Sequence, residues 1–124
     1  MSALPPGVEK DLIEEGHGPL PERGNVVTVH CIGYGKGGDL NEKFWSTKDP
    51  GQEQFSFTIG MGQVIPAWDL GVMTMKVGER ATITTNAENA YGSAGFPSWG
   101  IGPDSNLKFE LEVLSVEPGL AVAQ

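Results

Sequence analysis

Apolar and polar residues alternate with a period of two along most of this chain, which is typical of β-strands with one buried face. In the run NVVTVHCI, for example, Val27 and Val29 fall on one face, while Thr28 and His30 fall on the other. Each alternating run predicts one strand of an antiparallel sheet. The runs lie at 8–14, 25–32, 55–59, 81–84 and 107–113.

A single segment has the features of a helix, namely PAWDLGVM at residues 66–73. Pro66 suits the first helical position, and Gly71 limits the length of the helix. One short helix packed on one antiparallel sheet is an α+β arrangement. With 124 residues the chain suits one domain, and its 18 Gly and 9 Pro imply many turns. Only the two ends, 1–6 and 118–124, have the composition of tails.

The charge and the cysteine count restrict the partners and the compartment. Sixteen acidic and eight basic residues give a net charge of -8, which repels phosphate backbones and opposes loose self-association. We therefore expect a monomer that does not bind nucleic acid. No apolar run of about 18 residues is present, so membrane insertion is not expected. Cys31 is the only cysteine, which excludes an intrachain disulfide and favours the reducing cytoplasm.

Three glycines, Gly33, Gly35 and Gly38, have the G-x-G-x-x-G spacing of a dinucleotide-binding loop. Such a loop requires a helix directly after it, because the helix N-terminus holds the pyrophosphate. The following residues, DLNEKFWSTKDPGQ, have no helical period and end in a turn signal. We therefore predict a connecting loop and no cofactor.

Residues for acid–base, nucleophilic or metal chemistry are scarce. The chain has two histidines, of which His17 lies in a turn-like segment and His30 lies within a predicted strand. His30 and Cys31 are adjacent on that strand, so their side chains point to opposite faces and cannot share one metal ion. We predict no metal site, and we interpret His30 as a packed, hydrogen-bonded strand residue.

Large aromatic residues stand where loops are predicted. Taken singly, each is typical of core packing. Taken together, they could also line one apolar pocket at the edge of the sheet, and such pockets are common ligand sites. The residues are Phe44, Trp45, Trp68, Tyr91, Phe96 and Trp99.

Four separate segments, in order, resemble the FKBP family of peptidyl-prolyl cis-trans isomerases, the immunophilins that bind tacrolimus and rapamycin. They are GQVIPAWDLGV, VGERATI, AYGSAGFP and NLKFELEVLSVE. The resemblance runs from about Gly7 to Glu117 and so implies a domain over 7–117. It also implies a twisted sheet of five or six antiparallel strands wrapped around one short helix, with an apolar cleft between them.

The resemblance assigns Trp68 to the floor of that cleft, and it assigns the backbone N–H of Ile65 and the C=O of Gln63 to binding the ligand. It implies that Trp68, Tyr91, Phe109 and Ile65 act on the prolyl bond itself. The remaining positions that it places at the ligand are Val64 in the entry loop, Phe44 and Phe55 as walls, and Phe96, Trp99 and Ile101 at the rim.

The implied activity is isomerisation of X-Pro bonds in peptides and proteins, which assists folding. No bond is made or broken in that reaction, so neither a nucleophile nor a general base is required. The alternative is a non-catalytic module that uses the same cleft to hold a proline-containing loop of a partner protein. Trp68 and Tyr91 together favour the enzyme.

Two positions at the ligand depart from the family pattern. Cys31 stands where the best-known members have Tyr, and Trp45 stands where they have an Asp that accepts a hydroxyl hydrogen bond from the macrolides. We expect weaker macrolide binding, because a ligand hydroxyl would lose its acceptor. Isomerase activity is expected to be less affected.

Overall fold

The structure is a computed structural model that describes residues 4–119. Within these residues the chain forms six β-strands and one α-helix. Residues 1–3 and 120–124, which belong to the two expected tails, lie outside the described residues. The strands are β1 (Val8–Glu14), β2 (Val26–Tyr34), β3 (Lys43–Ser46), β4 (Phe55–Thr58), β5 (Arg80–Thr85) and β6 (Leu107–Glu117), and the helix is α1 (Pro66–Gly71).

All strand pairs are antiparallel, and the strands form one sheet in the order β1-β5-β6-β2-β3. The fourth strand also pairs with β2, beside β3, so that two short strands share one edge of β2. The longest pairing joins β2 to β6, from Val26 opposite Glu117 to Tyr34 opposite Lys108. The predicted α+β fold with an antiparallel sheet of five or six strands is confirmed, and the sheet has six strands.

The alternating runs bury the face that the pattern predicts. On β2 the side chains of Val27, Val29 and Cys31 are at most 1% exposed, whereas Thr28 and His30 are half-buried. Burial of one such aliphatic side chain stabilises the fold by about 1.5–3 kcal/mol. The core therefore lies on one face of the sheet, and α1 packs against that face.

The short helix begins and ends where its sequence predicts a boundary. Pro66 occupies its first turn after Ile65, and the α-helix ends at Gly71, where a 3-10 turn over Val72–Thr74 continues it. Gly71 lies against β5, because a Cβ added there would come within 2.5 Å of Ile83 Cδ1. The glycine thus permits close packing of the helix on the sheet.

The glycine-rich segment connects two strands, as predicted. Gly33 lies within β2 under the ring of Phe44, and a Cβ there would come 2.5 Å from Phe44 Cζ. Gly35 has a φ of 135°, a conformation that residues with a side chain rarely adopt. The chain then passes through a 3-10 turn over Lys36–Gly38 into β3, a strand that the alternation alone did not predict.

Polar side chains on β1 and β2 connect these strands to neighbouring segments. His30 Nδ1 lies 2.9 Å from Thr47 Oγ1, which confirms the interpretation of His30 as a hydrogen-bonded strand residue. Lys10 on β1 forms an ion pair with the buried Glu79 and also donates to the carbonyl of Thr74 at 2.9 Å. Within residues 4–119, no helix is long and apolar enough to cross a bilayer, and no group of three or more His, Cys, Asp or Glu could hold a metal ion.

Candidate active site

An open cleft of about 470 Å³ lies between α1, the loop that enters it and the aromatic end of the sheet. This volume is within the usual range for small-molecule sites, roughly 300–1,000 Å³. None of its lining side chains carries a formal charge at neutral pH. The lining residues are Trp45, Phe55, Gln63, Val64, Ile65, Pro66, Trp68, Ala90, Tyr91, Trp99 and Phe109.

The floor of the cleft is the indole of Trp68, which α1 presents and which is 5% exposed. Its ring meets Phe109 edge-on at 5.5 Å and Phe55 edge-on at 5.8 Å. Such edge-to-face pairs fix the orientation of the rings. Trp68 Nε1 is buried and has no hydrogen-bond partner among the described residues.

Asp69, on α1, forms hydrogen bonds with the loop that leads into this helix. The carboxylate of Asp69 is buried and accepts hydrogen bonds from the N–H groups of Gly60 at 3.0 Å and Gly62 at 2.9 Å. Both glycines have positive φ, 79° and 75°, which places the chain in a conformation that favours glycine. Asp69 therefore positions the loop, a role that the sequence analysis did not assign.

The same loop presents free backbone groups next to Trp68. Gln63 Oε1 accepts from the N–H of Thr58 at 2.9 Å, which ties the loop to β4. Within the described part of the chain, neither the N–H of Ile65 nor the C=O of Gln63 has a hydrogen-bond partner. A donor and an acceptor thus remain available for a ligand.

Six aromatic rings, five of which line the cleft, form a closed series in which each contacts the next, and we call this series the aromatic circuit. Trp45 and Trp99 are stacked almost in parallel, with centroids 5.6 Å apart and planes 9° apart. Phe44 stacks on Trp99 with centroids 5.3 Å apart and meets Phe109 edge-on at 6.0 Å. The circuit consists of Trp68, Phe55, Trp45, Trp99, Phe44 and Phe109.

Tyr91 brings a hydroxyl to the side of the cleft. Its ring stacks on Phe96 at 5.3 Å and meets Trp99 edge-on at 6.4 Å. Burial raises the pKa of Tyr91, and the nearby Cys31 acts in the same direction. A tyrosine hydroxyl is protonated at neutral pH even at its ordinary pKa of about 10, so Tyr91 can donate a hydrogen bond, and the upward shift extends this to higher pH.

Most of the predicted ligand residues are brought together at this cleft, and four of them lie away from its lining. Phe44 lies behind Trp99, over Gly33. Phe96 is 36% exposed, outside the Tyr91 ring. Ile101 and Cys31 are each 1% exposed and belong to the core, and the backbone of Ile101 pairs with Phe96 in an isolated bridge.

Two lining residues, Pro66 and Ala90, were not assigned to the site from the sequence. Each is adjacent to a residue that lines the cleft, since Pro66 follows Ile65 and Ala90 precedes Tyr91. Small apolar side chains carry no reactive group, so only this adjacency could have indicated them.

The geometry defines a protein with a preformed, uncharged aromatic cleft, suited to an apolar ring flanked by carbonyl groups. The model of the family described as FKBP-type peptidyl-prolyl cis-trans isomerase matches residues 18–114. The chain belongs to this family, which confirms the resemblance found in the sequence.

Individual relatives agree with this assignment. Over 111 residues the chain is 59% identical to "Peptidyl-prolyl cis-trans isomerase FKBP12" of Vicia faba, covering 90% of this chain and 99% of the relative. It is 39% identical over 110 residues to "FK506-binding protein 1" of Gibberella zeae, covering 89% and 98%. Its fold is similar to that of a multi-domain immunophilin from Arabidopsis thaliana, with a TM-score of 0.82 and 30% identity over 94% of this chain and 45% of that one.

Proposed function

We propose that the protein accelerates cis–trans isomerisation of X-Pro bonds in peptides and proteins, and that the cleft above Trp68 is the site of this reaction. The observation that carries the proposal is the unpartnered N–H of Ile65 beside an uncharged aromatic floor. This arrangement offers an apolar surface for a pyrrolidine ring and a hydrogen-bond donor for the carbonyl next to it.

The chemistry requires only that the twisted amide be bound more tightly than the planar one. Rotation about the bond faces a barrier of roughly 18–20 kcal/mol, because resonance keeps the amide planar. An apolar cleft disfavours the charge-separated planar form relative to the twisted form, and a fixed donor stabilises the twisted geometry. A thousandfold acceleration needs only about 4 kcal/mol of such preference.

We assign the following roles. Trp68 supports the prolyl ring, and the N–H of Ile65 binds the carbonyl of the proline itself. The Tyr91 hydroxyl, which is protonated at neutral pH, donates to the carbonyl of the residue before the proline. Phe55 and Phe109 meet the Trp68 ring edge-on and flank the prolyl ring.

Macrolide binding is proposed as a secondary property with reduced affinity. The name of the fungal relative, FK506-binding protein 1, supports the proposal that the cleft of this protein also binds tacrolimus. In this chain the indole N–H of Trp45 donates to Gln52 Oε1 at 3.3 Å, so Trp45 offers a ligand hydroxyl no acceptor. An unpaired hydroxyl that has left water lowers the affinity.

We further propose that the functional domain spans 7–117 and acts as a cytoplasmic monomer that does not bind nucleic acid. The first strand begins at Val8 and the last ends at Glu117, which supports these limits. The net charge of -8 supports the absence of nucleic-acid binding and of loose self-association. The single thiol, Cys31, is buried and suits a reducing compartment.

Exchange NMR spectroscopy on a short Leu-Pro peptide tests the isomerase proposal. Catalytic amounts of the protein should exchange the cis and trans signals, and Trp68→Leu should lower the exchange rate by about tenfold because the edge-to-face contacts are lost. Leu12→Ala, on the exposed part of β1, is the matched control and should leave the rate unchanged. Binding of the peptide without any exchange would identify a non-catalytic module, and a fully active, folded Trp68→Leu protein would show that Trp68 is not the floor.

A further inference from the structure

We infer that Trp45 and Trp99 form an aromatic subsite that selects an aromatic residue directly before the proline, with Trp45 as the specificity-determining residue. The inference rests on the proposed function, because it concerns the substrate of that same cleft. It adds a preference for aromatic over aliphatic side chains of equal size.

The stacked pair is built as a binding surface. Trp45 and Trp99 both line the cleft and both are only half-buried, so part of each ring stays open to a ligand. The polar edge of Trp45 is satisfied by Gln52, which does not line the cleft. The apolar ring of Trp45 is therefore what a ligand meets.

The pair lies beyond the prolyl position. Trp45 contacts Phe55 at 6.4 Å, and Phe55 in turn contacts Trp68 at 5.8 Å, so one ring separates the pair from the floor. A cleft of about 470 Å³ has room for on the order of fifteen heavy atoms, if each takes the roughly 30 Å³ of a water molecule in the liquid. This exceeds a single prolyl residue and leaves space for a neighbouring side chain.

The polarity of the bound chain decides which neighbour lies there. With the prolyl ring on Trp68 and the prolyl carbonyl at the N–H of Ile65, the chain after the proline leaves along the entry loop. The preceding residue then lies toward Tyr91, whose ring contacts Trp99 at 6.4 Å. The side chain before the proline is thereby directed to the stacked pair.

Aromatic character matters at this position because part of each indole stays open to the cleft. An aromatic side chain can meet that open part edge-on or in an offset stack, and these contacts add to the effect of buried area. An aliphatic ring of the same size gains the area alone. The expected preference for phenylalanine over cyclohexylalanine is about two- to tenfold in kcat/KM.

The experiment compares kcat/KM for three peptides that differ only in the residue before the proline: phenylalanine, cyclohexylalanine and leucine. The wild-type protein should prefer phenylalanine, and Trp45→Leu and Trp99→Leu should each bring the phenylalanine to cyclohexylalanine ratio close to one. Trp45→Phe should keep most of the preference. Leu12→Ala should retain the wild-type ratio, and urea denaturation should confirm that every variant is folded.

The outcomes separate this inference from the proposed function. If no peptide is isomerised by the wild-type protein, the proposed function is overturned and the inference falls with it. If all three peptides are isomerised and the ratio is the same in wild type and Trp45→Leu, isomerase activity stands and the aromatic subsite is refuted.

Discussion

The buried carboxylate of Asp69 provides a sharp test of how this site is held in place. Changing Asp69 to asparagine keeps the shape of the side chain and replaces one acceptor oxygen by an NH₂ donor. Only one of the two glycine N–H groups, those of Gly60 and Gly62, can then be bound. The other N–H would face a donor in a region where Asp69 is 8% exposed.

The size of the effect follows from these contacts. A hydrogen bond to a charged group contributes about 1.5–3 kcal/mol, and a buried donor left unpaired costs a similar amount. We expect Asp69→Asn to lower the free energy of unfolding by about 2–3 kcal/mol. Because the same loop carries the N–H of Ile65, kcat/KM for a Leu-Pro peptide should fall roughly tenfold to a hundredfold.

Urea denaturation and the peptide exchange assay measure the two effects on the same protein. The matched control is Asp39→Asn, since the Asp39 carboxylate accepts a single bond, from the N–H of Asn41, in an exposed turn. That control should change stability by less than about 0.5 kcal/mol. If Asp69→Asn and Asp39→Asn behave alike in both assays, the carboxylate does not position the loop and our account of Asp69 is wrong.

Three further predictions concern Glu79, Cys31 and Trp45. Glu79→Gln removes the charge that pairs with Lys10 and should lower the free energy of unfolding, measured by urea denaturation, by about 2–3 kcal/mol. The loss is smaller than for a fully buried ion pair because the Lys10 side chain is 18% exposed. Burial, reinforced by Glu110, raises the pKa of the Cys31 thiol. The thiol therefore loses its proton at a lower pH in the unfolded chain than in the folded protein, and the free energy of unfolding should fall as the pH rises above about 8.5. Urea midpoints between pH 8 and 9.5 should show a smaller fall for Cys31→Ala, and an equal fall would contradict this account. Changing Trp45 to Asp should tighten tacrolimus binding by roughly tenfold in calorimetry, and unchanged affinity would show that Trp45 does not occupy the acceptor position.

The sequence predicts most of the regular elements because their signals are local. The alternation on β2 and β6 reports burial directly, and Pro66 and Gly71 mark the two ends of α1 within six residues. The alternation does not predict the third strand because two large apolar residues, Phe44 and Trp45, stand next to each other in it, and its pairing with β2 is irregular. Its position depends on β2, which lies earlier in the chain.

The site itself is only partly predictable, because its geometry comes from contacts between distant segments. The stacking of Trp45 on Trp99 joins β3 to the 3-10 turn over Pro97–Trp99, and these two segments share no local signal. Likewise, an acidic residue in a helix is most often solvated, and only the folded loop shows that Asp69 faces two glycine N–H groups. The family resemblance placed Trp68 and Tyr91 at the ligand, whereas the burial of Ile101 in the core required the three-dimensional packing.

The aromatic circuit allows ligand binding to be followed spectroscopically. All three tryptophans of the chain, Trp45, Trp68 and Trp99, line the cleft. Tryptophan fluorescence therefore arises entirely from the walls and the floor of one site, and any occupant that displaces water from the rings changes the whole tryptophan emission. The near-parallel indoles of Trp45 and Trp99 should also couple as excitons, so that near-ultraviolet circular dichroism reports the opening of the pair without any added label.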